Sequence, residues 1–202
     1  MRSIVGCGIG LVVLVTGASG KSHNKPESLT IIFQFDGPYS QKSLAAMQRE
    51  LDSVMRDTLI GIDWRERGQV AASDWFPNLV VVKFKGKCRM EPISDFSGES
   101  GPLAFTYSTD GALLPFSEVA CDRVRSSLRT AMWGGDYGRS DMLFGRALAR
   151  VLAHELYHIL ADTKSHADKG IAQPALSGSR LIADELEFGE AELDRMHSAA
   201  GR

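Results

Sequence analysis

Apolar positions change period several times along this chain, and each change marks an element. Leu29 to Phe35 is a dense run of β-branched and aromatic residues ended by Asp36-Gly37-Pro38, which predicts a strand. Leu44, Met47, Leu51, Val54 and Met55 then recur three and four apart, predicting an amphipathic helix that starts near Ser40 or Ser43. Ile60 to Glu66 and the stronger run Leu79 to Phe84 predict two more strands. Leu103 to Ser108 and Phe116 to Cys121 flank Thr109-Asp110-Gly111, whose Asp-Gly pair signals a hairpin. Pro115 puts the second arm at a sheet edge or delays its start. A short helix fits around Val124 to Leu128, before the glycine-rich stretch Gly134-Gly135-Asp136-Tyr137-Gly138.

A long helix follows. Ser140-Asp141 predicts its N-cap and first-turn acid. Met142, Leu143, Leu148, Val151, Leu152, Leu156, Ile159 and Leu160 make it apolar nearly all round, so it is expected to be buried. A last helix near Glu190 to His197 carries acids at its start and Arg195 and His197 at its end, as the helix dipole favours. The order of elements predicts an α+β fold with a sheet of about five strands. Trp64, Trp75, Trp133 and the phenylalanines are assigned to the core, His23 and His197 to the surface.

Composition narrows the classes. Of the 202 residues, 1–20 read as a secretory signal peptide: Arg2, an apolar run from Ile4 to Val15, then the small residues Thr16 to Gly20. That run is too short to span a bilayer. Cys7 precedes it, the reverse of a lipoprotein signal, so export without a lipid anchor is expected. Residues 21–202 are expected to form one domain. With 23 basic against 25 acidic residues there is no basic footprint for nucleic acid and no polybasic patch for lipid. Cys88 and Cys121 remain after cleavage. In an oxidising compartment they suggest one disulfide, with two free thiols or a further zinc ligand as the alternatives.

The candidate chemistry sits on the long helix, in His154-Glu155-Leu156-Tyr157-His158. Residues four apart share a helix face, so His154 and His158 can offer nitrogens to one metal at roughly 2.0–2.1 Å. Glu155 projects to one side, poorly placed as a ligand but within reach of a metal-bound water. Two histidines in an apolar helix need something to satisfy their nitrogens, and a metal does so. Tyr157 is expected to be a core or wall residue.

Downstream the chain reads Ala161-Asp162-Thr163-Lys164-Ser165-His166-Ala167-Asp168-Lys169-Gly170-Ile171-Ala172-Gln173-Pro174. Together these segments resemble the metzincin zinc peptidases, in particular the matrixin-like branch. In that family the active-site helix stops at a glycine, a third histidine follows, and a tight methionine-bearing turn ending near proline lies beneath the metal. The resemblance implies His154, His158 and His166 as ligands of one catalytic Zn2+, Glu155 as the base, and Gly170 to Pro174 as the turn. The chain departs from the family at three points. Lys164 stands six residues after His158, where the third histidine is usual; Ala161 replaces the glycine; Ala172 replaces the turn methionine.

The resemblance also implies a twisted mixed sheet carrying two main helices, one of them the zinc-site helix, over residues 28–162. A small lower subdomain, about 163–202, would end in a helix. Substrate is then expected along the strand Leu103 to Tyr107, with Ala104, Phe105 and Thr106 as its binding residues. A second candidate for the third ligand is Glu185, whose acidic neighbours otherwise read as the solvated face of a short helix. Asp162 and Asp168 are candidates to orient an imidazole, against a default as solvated loop acids.

These readings predict a secreted or periplasmic zinc metalloendopeptidase, monomeric, acting on protein or peptide substrate through a zinc-bound water activated by Glu155. No nucleic-acid partner and no stable membrane insertion after signal cleavage are expected, and no N-terminal latency segment. Two rivals stay open: a non-catalytic zinc-stabilised peptide-binding module, and a zinc hydrolase of a non-peptide amide. Glu155 argues against the first, since a purely structural site has no use for a base.

Overall fold

The sheet is built outward from β1 (Ser28–Phe35), whose residues Leu29 to Phe33 are all buried. We describe it from a computed structural model that covers residues 28–91 and 100–200. The expected signal peptide 1–20 with Cys7, and His23, lie outside the described residues. α1 (Gln41–Val54) is capped by Ser40, whose hydroxyl accepts from the Ser43 amide, and it returns the chain to β2 (Gly61–Glu66) beside β1. β3 (Leu79–Lys85) lies on the other side of β1, with Val80, Val82 and Phe84 buried and the alternate positions less so. That period of two sets which face meets the helices.

β4 (Ala104–Thr109) and β5 (Ala112–Ala120) form the expected hairpin around Asp110-Gly111. The sheet order is β2-β1-β3-β5-β4, with every pairing parallel except the antiparallel β4–β5. The result is an α+β fold on a five-stranded mixed sheet whose antiparallel edge is β4. Pro115 resolves as a late start: β5 meets β3 only from Phe116 onward, so the missing N–H falls where β5 has one neighbour.

α2 (Cys121–Arg129) starts where β5 ends, and a 3-10 turn over Gly134–Arg139 leads into α3 (Ser140–Leu160). That turn corrects the expected N-cap. Ser140 is already helical, the capping position falls on Arg139 without a side-chain bond, and Asp141 instead accepts from the Ser43 hydroxyl at 2.8 Å. α3 packs on α1, β4 and β5. Contact with α1 is close at Gly145, where a Cβ would lie 2.6 Å from the Ala46 Cβ. Met47 and Leu51 of α1 meet Phe144, Leu148 and Leu152 of α3 in the core. Each such side chain is worth about 1.5–3 kcal/mol when fully buried.

The apolar stripe of α3 hides one cation. Arg150 is only 2 % exposed. Its Nε donates to Glu50 of α1 at 2.9 Å, and its Nη1 to the Ala183 and Arg180 carbonyls at 2.7 and 3.2 Å. One buried guanidinium thus ties both main helices to the C-terminal end of α4 (Gly178–Ile182), which Ser177 caps at its start, and to Ala183 just beyond it.

Residues 183–189 are not helical, unlike the expected short helix. Leu186 and Phe188 are buried while Glu185 and Glu187 are exposed, the two-residue period of extended chain. α5 (Glu190–Ala200) closes the fold, and exposed His197 pairs its Nε2 with the Thr58 carbonyl at 3.0 Å. Among the described residues no helix is long and apolar enough to cross a membrane.

Two tryptophans contradict the core assignment. Trp64 is partly buried, edge-on to Phe33 at 5.9 Å, but Trp75 and Trp133 are 81 % and 80 % exposed. Both sit in turn-rich segments with no apolar periodicity to carry them inward. Phe105 and Phe116 are also exposed, on the hairpin.

Cys88 and Cys121 are joined in a disulfide, Cα atoms 5.0 Å apart, linking the segment after β3 to the first residue of α2. Closing a loop of about 34 residues is worth on the order of 3–4 kcal/mol in the chain-entropy model. Urea unfolding with and without reductant is expected to differ by that amount. Two free thiols titrated in the unfolded protein before reduction would refute the bridge.

Candidate metal centre

α3 places His154 and His158 one turn apart on one face, as the spacing requires. His158 is 8 % exposed and His154 is half-buried. Each ring is oriented by a backbone carbonyl: His154 Nδ1 lies 2.8 Å from the Ile171 oxygen, and His158 Nδ1 lies 2.7 Å from the Thr163 oxygen. A carbonyl only accepts, so both Nδ1 atoms carry protons and both Nε2 lone pairs point into the site. Those two Nε2 atoms are 3.1 Å apart.

Facing lone pairs at that separation repel unless a proton or a cation lies between them. A proton is disfavoured on His154, whose pKa burial pushes down to about 4, with the nearby His158 and His166 adding to the fall against the opposing Ile171 bond. The donor set is therefore neutral imidazole at neutral pH on the His154 side, which suits a metal ion.

His166 completes the set. α3 ends at Leu160, and the left-handed position that stops it falls on Asp162, with φ 44°, not on Ala161. Aspartate tolerates that conformation better than most side chains. The Thr163 amide then donates back to the His158 carbonyl at 3.0 Å, turning the chain across the end of the helix. Lys164 is exposed. His166 returns over the site, its ring stacked on His154 with centroids 5.2 Å apart and edge-on to His158 at 4.9 Å. The ligating atoms of His154, His158 and His166 all lie within 4.8 Å of one another, close enough to bind one metal ion.

Gly170 to Pro174 passes behind the histidines. Ile171 and Ala172 are fully buried, the Ala167 amide donates to the Ala172 carbonyl at 2.9 Å, and the Ile171 amide to the Glu187 carbonyl at 3.0 Å. Gly170 has φ 76°, and a Cβ there would collide with the Glu187 carbonyl oxygen. Glycine is required.

Glu155 is 6 % exposed. Its Oε2 accepts from the Thr106 hydroxyl of β4 at 2.7 Å. Burial holds its pKa above the ordinary carboxylate value, with the Thr106 bond and nearby His158 acting the other way. A cavity of about 230 Å³ adjoins it, bordered by Leu103, Ala104, Val151, His154, Glu155 and Leu176.

The three expected histidines thus lie together, with corrections around them. Glu185 is exposed and is absent from the histidine cluster, so it does not supply the third ligand. The Nδ1 atoms of both α3 imidazoles meet the Ile171 and Thr163 carbonyls, not the carboxylates of Asp162 and Asp168. Tyr157 is a buried wall residue whose hydroxyl accepts from Arg195 Nη1 at 2.8 Å. Sequence reasoning misses both carbonyls, which residue identity does not encode. It also misses the Thr106–Glu155 bond, for which a hydroxyl facing inward on the edge strand is the one signal.

The pH behaviour of the metal-free protein follows from His154. Its folded pKa, about 4, lies below the unfolded value of 6.5, so the unfolded chain binds more protons between them. The stabilisation is complete above 6.5 and is lost as pH falls towards 4, by at most about 3 kcal/mol. Urea midpoints of wild type and His154→Gln at pH 7 and pH 4.5 check this: wild type is expected to lose more than the variant. Equal losses would contradict it.

No family model, no curated protein and no solved structure matches the chain.

Proposed function

We propose that this chain is an exported, zinc-dependent endopeptidase of metzincin type, in which Glu155 acts as general base. The observation that carries the reading is the convergence of three imidazoles, two with lone pairs fixed inward, beside a buried carboxylate that ligates nothing. A tetrahedral zinc would set its ligand nitrogens roughly 3.3 Å apart, close to the 3.1 Å between the α3 nitrogens. Three histidine ligands with the fourth position open is a catalytic arrangement; structural zinc sites are closed by four protein ligands. Zinc bound there supplies a Lewis acid that polarises the scissile carbonyl and acidifies the attacking solvent.

The chain's own residues supply the rest. Ionised Glu155 takes the proton of the attacking water and delivers it to the leaving amine. β4 offers the open edge along which an extended substrate adds as a further strand. The Ala120 amide donates to the Leu103 carbonyl at 2.8 Å. By the alternation of antiparallel pairs, Phe105 is the next residue bonded to β5. Ala104 and Thr106 then turn their backbone groups to the open edge, in reach of a substrate strand. The adjoining cavity receives a substrate side chain beside His154 and Glu155.

The test is direct. Purified zinc-loaded protein is incubated with unfolded casein and a peptide library, and new termini are read by mass spectrometry. Cleavage that a chelator stops and zinc restores is expected. No cleavage between pH 6 and pH 8 would overturn the peptidase reading, and cleavage only of non-peptide amides would replace it.

A further inference from the structure

We propose that Thr106 is a positioning residue for Glu155: its hydroxyl, held from behind by Ser117, fixes one carboxylate oxygen so that the other takes the proton. The inference rests on the hydrolase reading and adds to it. Thr106 and Ser117 are directly opposite one another on β4 and β5. The bonding pattern makes this a pair without mutual backbone bonds, the kind in which side chains approach most closely. Their hydroxyl oxygens are 3.0 Å apart. The Thr106 proton goes to Glu155 Oε2 at 2.7 Å, so Ser117 is the donor to Thr106.

The chain Ser117–Thr106–Glu155 therefore runs in one direction and ends on a carboxylate. A distance of 2.7 Å is that of a well-formed hydroxyl–carboxyl hydrogen bond. Ser117 is 2 % exposed, so this bond is made in dry surroundings, where it is electrostatically stronger. Thr106 is β-branched, so its χ1 is already restricted, and the Ser117 bond narrows the aim of the hydroxyl further. Among the described residues Glu155 Oε1 accepts no protein hydrogen bond, which leaves it as the atom for solvent.

The same residue also turns its backbone to the open edge of β4. A substrate strand seated there stiffens the residue that holds the base, so binding and orientation of the carboxylate are coupled at one position.

Thr106→Val removes the hydroxyl and keeps the shape; Thr106→Ser keeps the hydroxyl; Ser117→Ala removes only the support. Each is measured for zinc content, for acetohydroxamate affinity by calorimetry on zinc-loaded protein, and for kcat and KM on a cleaved peptide. Acetohydroxamate reads the carboxylate without turnover, because its acidic proton needs an acceptor beside the metal. Thr106→Val is expected to keep its zinc, bind acetohydroxamate about 10-fold more weakly, and lose about 10–100-fold in kcat with KM nearly unchanged. Thr106→Ser is expected to return both within about 3-fold of wild type, and Ser117→Ala to lose roughly 3-fold in affinity.

Wild-type acetohydroxamate affinity in Thr106→Val overturns the proposal, as does a Thr106→Ser protein as impaired as the valine variant. Should Thr106→Val fail to fold, an unchanged Ser117→Ala overturns the chain of bonds. Wild type that holds zinc and acetohydroxamate but cleaves no peptide defeats the hydrolase reading alone, and the affinities still decide the role of Thr106.

Discussion

His166→Ala is expected to strip the site: zinc affinity falls by about 1,000-fold or more, and hydrolysis disappears with it. Losing an orienting hydrogen bond to a ligand typically costs about 10–100-fold in metal affinity, and a whole imidazole contributes more than its orientation. Removing it leaves His154 and His158, too few for a catalytic zinc. Metal analysis after dialysis, with a competing chelator to set the affinity, measures the effect. Two controls sharpen it. Lys164→Ala stands at the spacing where metzincins carry the third histidine, and Glu185→Ala removes the acidic alternative; both residues are exposed, and both variants are expected to retain zinc and activity. Zinc held normally by His166→Ala would defeat the three-histidine site.

Glu155→Gln is expected to do the opposite: one zinc per chain stays bound while kcat falls by about 100–10,000-fold, the range for loss of a general base. Glutamine keeps the shape and still accepts from Thr106, so the loss reads proton transfer and not packing. The wild-type pH profile carries a second signature. Burial raises the Glu155 pKa in the metal-free protein, a cation bound beside it would lower it again, and the working form is ionised, so activity is expected to be lost as pH falls through the titration of this carboxyl. That acid limb is expected to be absent from whatever activity Glu155→Gln retains. Unaltered turnover in the variant would remove Glu155 as the base.

The parts of this molecule that repeat with a period are legible in the sequence. The strands Leu29–Phe35 and Leu79–Phe84 and the helix through Leu44, Met47 and Leu51 fall within about two residues of their expected bounds, because burial on one face imposes a period of two or 3.6. His154 and His158 are legible for the same reason. Spacing does not fix the third ligand, because where His166 lands depends on the residue that turns the chain out of α3. That residue is Asp162, one later than the position a glycine would occupy, and its left-handed backbone leaves no period to read. Arg150 is hidden by its own helix: a charge on an apolar stripe reads as exposed, and the carbonyls that satisfy it come from Arg180 to Ala183, distant in sequence. Trp75 and Trp133 fail in reverse, since size argues for burial but only a neighbouring element can provide it.

The Ile171 bridge has a mechanical consequence. Its carbonyl steers His154 while its amide hangs on Glu187, and Gly170 beside it admits no side chain against that same oxygen. A cation drawing electron density from the ring makes the His154 N–H a stronger donor and tightens its grip on Ile171. An ion bound there would therefore act as a buckle for the last thirty or so residues, and its removal would slacken that strap at its inner end while leaving the sheet its shape.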